Sequence, residues 1–288
     1  MLNLPKIAPP SSAKTGRASR WRRLLAGIAA LTMSGGIAIT AAAPAHAAWT
    51  SNPCDYGVVI GVRGTDAAPG SGTQHSGRLY ASGGWGPQFD SLMNNIGASD
   101  LPMFHAGLVY PAGGADYFSS VDIGAMNLVN ELNYLSTLCG VYAPSVVLLG
   151  HSQGAAVVLK ALADPVVGAG SLTSAARAMI RAVIVYGDPQ FTVNQPINSV
   201  FSESYANGRF GGRSQGELDN LANWYRVWWW PQGSSNPNKQ WVYRIRSYCL
   251  SNDYWCATGG SMDVHNSYAS NFTGDAWNFI YYMMTSSN

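Results

Sequence analysis

Short apolar runs bounded by glycine, proline and polar residues recur along this chain, and stripes of apolar residues at helical spacing separate them. The runs Tyr56-Gly-Val-Val-Ile-Gly-Val62, Phe104 to Tyr110, Ser145-Val-Val-Leu-Leu149 and Ala182-Val-Ile-Val-Tyr186 are predicted as buried strands. Trp241 to Tyr248 alternates and is predicted as a fifth. Pro87 to Ile96, Ala155 to Ala163, Ser174 to Ile180 and Asp275 to Met284 read as helices. A longer helix is capped by Ser119 or Ser120 and stopped by Gly140; Val121, Ala125, Leu128, Leu132, Leu135 and Cys139 make its one apolar stripe, which is core packing. The expected fold is α/β, a mostly parallel five-stranded sheet with helices on both faces. No internal repeat or second domain is visible.

Two stretches break the pattern. Residues 1 to 23 carry Lys6, Lys14, Arg17, Arg20, Arg22 and Arg23 and no acid; Leu24 to Thr40 is apolar, and Ala45-His46-Ala47 is a small-x-small site. Residues 1–47 therefore read as a secretory signal peptide, with Arg22-Arg23 leaving a twin-arginine route open and an uncleaved anchor as the alternative. The second is Gln190 to Gln240, an inserted aromatic-rich segment with Gly211-Gly212, Trp224 and Trp228-Trp229-Trp230. It is either a wall beside a cleft or a surface excursion held down by its tryptophans.

Composition narrows the class. Six of the 17 basic residues lie in the predicted signal, which leaves eleven against 15 acidic ones in 48–288. A weakly acidic, aromatic-rich chain has no electrostatic footprint for nucleic acid. Residues 48–288 suit one secreted, monomeric domain with no stable membrane span after cleavage. Four cysteines in an exported chain imply two disulfides; three pairings are possible, and sequence alone does not choose.

The chemistry concentrates at Gly150-His-Ser-Gln-Gly154, a G-x-S-x-G between a predicted strand and a predicted helix. Glycine on both flanks lets the turn tighten and stand Ser152 proud as a nucleophile, at the positive end of a helix. A seryl hydroxyl needs a base, and the base needs an acid to set its tautomer. Of His75, His105, His151 and His265, only the last follows the final strand, where the order Ser…Asp…His puts the base. His105 reads as a core residue, and His151 is expected to point away. For the acid, Asp253 competes with Asp188 and, more distantly, Asp263. Asp253 sits in Cys249-Leu-Ser-Asn-Asp-Tyr-Trp-Cys256, where a short disulfide would stiffen its turn, whereas Asp188 reads as a turn residue before Pro189. The backbone N–H of Gln153 and the loop carrying Thr65 are the expected oxyanion hole.

Together these residues resemble the cutinase family of secreted serine esterases. The resemblance rests on Cys54 before the first strand, Arg63-Gly64-Thr65, Gly150-His-Ser-Gln-Gly154, and Cys249-x3-Asp253-x2-Cys256 followed by His265. It implies an α/β-hydrolase fold, a triad of Ser152, His265 and Asp253, an oxyanion hole at Thr65 and Gln153, and a Cys54–Cys139 disulfide. Gln190–Gln240 looks some thirty residues longer than in small cutinases. The expected function is a secreted serine carboxylic ester hydrolase forming an acyl-enzyme on a polyester, a lipid or an acylated polysaccharide. It needs no metal or other cofactor. The rivals are an acyltransferase using the same triad and a non-catalytic secreted protein that binds lipid or polysaccharide.

Overall fold

The computed structural model describes residues 49–286 apart from 76, 164 and 230–239; the predicted signal peptide lies outside them, as does part of the tryptophan run. In chain order the elements are β1 (Gly57–Val62), β2 (Ser71–Gln74), β3 (Leu79–Ser82), α1 (Asp90–Gly97), β4 (Met103–Leu108), α2 (Tyr117–Cys139), β5 (Ser145–His151), α3 (Gln153–Ala163), α4 (Ser174–Met179), β6 (Ile180–Tyr186), α5 (Gln215–Trp224), β7 (Arg226–Trp229), β8 (Gln240–Tyr243), β9 (Ile245–Tyr248), α6 (Met262–His265) and α7 (Tyr268–Thr285).

The main sheet runs β2-β3-β4-β1-β5-β6-β9, parallel from β4 through β9. Alternation along its strands feeds two cores. Val58, Ile60, Val146, Leu148, Val183 and Val185 face α2, α3 and α4 on one side; Val59, Val147, Leu149, Ala182 and Ile184 face α1 and α7 on the other. A strand buried on both faces must be apolar at nearly every position, which is why these runs read so plainly.

The five-stranded expectation falls short at one edge. The loop after β1 folds into β2 and β3, which pair antiparallel with each other and with β4. Ser-Gly-Thr-Gln has no apolar alternation to announce it, and three of its four residues are exposed. The fifth predicted strand is two strands, broken at Arg244. The Arg244 N–H donates to the Tyr225 carbonyl and its guanidinium to the Ile180 carbonyl, at 2.7 Å each. β8 consequently leaves the main sheet to pair with β7, while β9 pairs with β6.

Helix starts also differ. Helix α2 begins at Tyr117, ahead of the predicted caps Ser119 and Ser120, and Ser120 uses its hydroxyl within the helix, accepting from the Gly113 N–H and donating to Gln153 Oε1. Helix α7 begins at Tyr268, seven residues before the predicted start; Gly274 interrupts the apolar pattern but faces open space.

The long segment before β9 has structure of its own. Ser214 and Glu217 form a capping box at the start of α5, which buries Leu218 and Leu221. Trp224 covers the Arg177 guanidinium at 3.7 Å, so it serves packing. Disulfides join Cys54 to Cys139 and Cys249 to Cys256.

Candidate active site

Ser152 follows the last residue of β5 and precedes the first of α3, with φ at +55°. A left-handed non-glycine residue is strained by about 1–2 kcal/mol, and here hydrogen bonds hold it. Its N–H donates to the Tyr186 carbonyl at 2.8 Å, and its carbonyl accepts from Ala155 and Ala156 at 2.9 and 3.2 Å. The flanking glycines are required by close backbone approach. A Cβ on Gly150 would lie 2.6 Å from the Gly154 oxygen, and one on Gly154 would lie 2.1 Å from the Val62 oxygen.

His265, at the end of α6, and Asp253, in the disulfide loop, are buried against each other. His265 Nδ1 lies 3.0 and 2.9 Å from the two Asp253 oxygens. A carboxylate can only accept, so Nδ1 carries the proton and Nε2 is left with its lone pair. That Nε2 is buried without a hydrogen-bond partner. Asp253 Oδ1 also accepts from the Trp255 and Cys256 N–H groups at 2.7 and 2.9 Å, and Oδ2 from the Tyr268 hydroxyl at 2.7 Å. Burial alone would raise the Asp253 pKa; the His265 hydrogen bond and charge, the Cys256 N–H and the Tyr268 hydroxyl outweigh it and hold it below its ordinary value.

Ser152 and His265 line the same cleft of about 510 Å3, together with Thr65, Gln88, His151 and Phe210. No hydrogen bond joins Ser152 to His265 in this arrangement. Loop 63–67 passes close to Ser152: a Cβ on Gly64 would lie 3.4 Å from Ser152 Cβ. Gln153 is the first residue of α3, where an N–H has no acceptor within the helix. Its side chain donates to the Gly113 carbonyl at 2.9 Å and accepts from Ser120 at 3.0 Å, tying the loop before α2 to the elbow.

The Asp188 carboxylate is bonded elsewhere than to His265. It forms a buried ion pair with Arg213, Oδ2 to Nη2 at 2.9 Å, and its Oδ1 accepts from the Gln190 N–H. His75 packs near Phe104 and Tyr134, and His105 against Trp49 and Trp85. His151 is a correction. Rather than pointing away, it lines the cleft, with its ring 4.8 Å from that of His265 and its Nε2 3.0 Å from the His265 carbonyl oxygen. That carbonyl can only accept, so Nε2 donates. Burial, then the nearby His265, push its pKa down to about 3, so it stays neutral.

Three further residues shape the site in roles that the sequence did not announce. Arg63 is buried, and its guanidinium donates to the carbonyls of Ala67, Leu108, Tyr110 and Pro111, clamping the loop that carries Thr65. Gln88 donates to the Asn266 carbonyl and accepts from the Ala269 N–H, bracing the turn after His265. Tyr268 follows His265 by three residues, a spacing that carries no signal until both are seen on Asp253.

Comparison with known proteins gives the family and the fold. The family model described as Cutinase matches residues 53–284. Acetylxylan esterase 2 of Talaromyces purpureogenus is 27% identical over 254 residues, covering 83% of this chain and 92% of that one. Cutinase 11 of Verticillium dahliae is 27% identical over 236 residues, 77% of this chain and 66% of that one. Among solved structures, the catalytic core domain of acetyl xylan esterase from Trichoderma reesei superposes with a TM-score of 0.58 at 25% identity, over 80% of this chain and 99% of that one.

Proposed function

This chain belongs to the cutinase family, and from that premise we propose that it hydrolyses carboxylic esters through Ser152, His265 and Asp253. Ser152 Oγ attacks the ester carbonyl carbon as its proton passes to His265 Nε2. Asp253 accepts from Nδ1–H and stabilises the imidazolium. The tetrahedral oxyanion accepts from the Gln153 N–H and from Thr65. His265 then gives its proton to the departing alcohol oxygen, leaving the acyl group on Ser152. Water attacks that acyl-enzyme, returns a proton through His265 to Ser152, and releases the carboxylic acid.

One observation carries the reading. A buried imidazole, oriented by a fully paired carboxylate, keeps an unpartnered Nε2 beside a cleft that is also lined by a serine on a strained elbow. The Ser152–His265 hydrogen bond forms as substrate binds, since catalytic hydrogen bonds are often long without substrate. The natural substrate is an ester of a lipid, a polyester or an acylated polysaccharide. We place the enzyme outside the cell, exported by residues 1–47, where its two disulfides persist.

Ser152→Ala should abolish hydrolysis of p-nitrophenyl acetate while leaving the melting temperature within a few degrees of the parent. Undiminished turnover in that variant would remove Ser152 from the mechanism.

A further inference from the structure

The segment Gly208–Arg213 is a short strap fastened at both ends. Arg209 donates from its N–H to the Trp255 carbonyl at 2.7 Å, and from its guanidinium to the Tyr254 and Gly259 carbonyls at 2.9 and 3.1 Å. The same guanidinium stacks on the Tyr254 ring at 3.9 Å. At the other end, Arg213 makes its buried ion pair with Asp188, and its N–H donates to Thr192 Oγ1 at 2.9 Å. Between the two arginines, the Phe210 N–H donates to the Pro189 carbonyl at 3.0 Å. Gly208 approaches the same residue so closely that a Cβ there would lie 2.2 Å from the Pro189 oxygen. The strap thus ties the loop after β6 to the loop that carries Asp253.

What the strap presents is Phe210. Its ring lies 4.7 Å from Tyr117, 5.3 Å from Phe118 and 5.4 Å from Trp255, and Tyr117, Phe210 and Trp255 all line the cleft that holds Ser152. This aromatic bridge spans from the first turn of α2 to the disulfide loop. An ester bound for attack by Ser152 has its directions assigned by chemistry. Its alcohol oxygen must face His265 Nε2 to collect a proton, and its carbonyl oxygen must face Thr65 and Gln153. Tyr117, Phe210 and Trp255 form a continuous aromatic wall of the same cleft, against which an acyl group on Ser152 can lie.

We propose that Phe210, held by the arginine-pinned strap, is the residue that limits the acyl group this enzyme accepts. The inference rests on the triad reading above. A pocket wall discriminates by the methylenes it admits or excludes, an effect on the order of tenfold or more for a well-shaped wall. The parent should therefore prefer p-nitrophenyl acetate to p-nitrophenyl octanoate, and truncating the wall should erode that preference.

The test measures kcat/KM for p-nitrophenyl acetate and octanoate in the parent, Phe210→Ala and Phe210→Trp. Taking the octanoate-to-acetate ratio within each preparation cancels any difference in folded fraction. The ratio should rise roughly tenfold in Phe210→Ala and fall in Phe210→Trp. A parallel series of acetate esters with lengthening alcohols should keep its order of preference in both variants. Ratios within about twofold of the parent in both variants, or a change confined to the alcohol series, would overturn the assignment while leaving the triad standing. A folded parent that hydrolyses none of these esters would sink the triad reading itself, and this inference with it.

Discussion

Asp253 and Asp188 are both buried aspartates just beyond the end of a strand, and their partners separate them. Asp253 spends both oxygens on His265, two N–H groups and Tyr268; Asp188 is tied to Arg213. Asp253→Asn should therefore lower kcat by about 10^4, the scale expected when the imidazole loses its tautomer. Asp188→Asn should instead lower stability by roughly 3–5 kcal/mol, because it leaves Arg213 buried beside a neutral amide, with kcat per folded molecule on p-nitrophenyl acetate largely kept. Paired measurements of kcat and urea midpoint distinguish the two, and a reversed pattern would reassign the acid. Tyr268→Phe removes one donor from the Asp253 carboxylate; hydrogen bonds to charged groups contribute about 1.5–3 kcal/mol, so stability should fall by that order and kcat with it. At this scale the Ser152 elbow and the contact of His265 with Asp253 were legible, the first from G-x-S-x-G, the second from the Cys249–Cys256 loop and the chain order. The roles of Arg63, Tyr268 and His151 were not. Arg63 and His151 bond to backbone carbonyls, and Tyr268 to a carboxylate and a loop N–H, partners that leave no mark in side-chain spacing.

The two disulfides act on different elements and should fail differently. Cys54–Cys139 closes a separation of 85 residues between the approach to β1 and the end of α2, worth about 4.5 kcal/mol in the chain-entropy model. Replacing both cysteines by serine should lower the melting temperature strongly and leave kcat of the folded enzyme intact. Cys249–Cys256 closes only 7 residues, about 2–2.5 kcal/mol in the same model, but it frames the turn from which Asp253 reaches His265. Its double-serine variant should lose proportionately more activity than stability; equal losses would deny the turn any orienting role. Element by element, legibility followed burial. Strands covered on both faces were read directly, whereas β2 and β3 carry too few apolar residues to register. The split of β8 from β9 depends on Tyr225 and Ile180, which meet Arg244 only in the folded sheet. The segment 190–240 reads in sequence as long and tryptophan-rich; among its described residues Phe210 lines the cleft.

Across the whole molecule, two buried groups give opposing pH dependences of stability. His151 titrates near 6.5 when unfolded and near 3 when folded. Between those values the unfolded chain binds the extra proton, so this contribution is complete above pH 6.5 and is lost as pH falls toward 3. Glu131 is the reverse: burial raises it to about 7 from 4.5, with the Arg78 charge and hydrogen bond only partly opposing. The folded state keeps that proton, so stability falls as pH climbs from 4.5 to 7. From 4.5 to 6.5 the Glu131 and His151 slopes, each about 1.4 kcal/mol per pH unit at most, oppose each other, and burial lowers His75 and His105 in the same sense as His151. Glu131→Gln removes the first of these slopes. Its melting temperature should exceed that of the parent at pH 8 and decline on acidification below 6.5; parallel profiles for the two proteins would contradict the assignment.

All of the chemistry proposed here requires one hydroxyl to be made nucleophilic by one imidazole. Labelling with a fluorophosphonate, followed by intact mass and peptide mapping, reads that directly. We expect a single adduct per chain, located on Ser152, formed slowly or not at all in His265→Ala. An unmodified parent, or an adduct mapped to any other residue, would contradict the account.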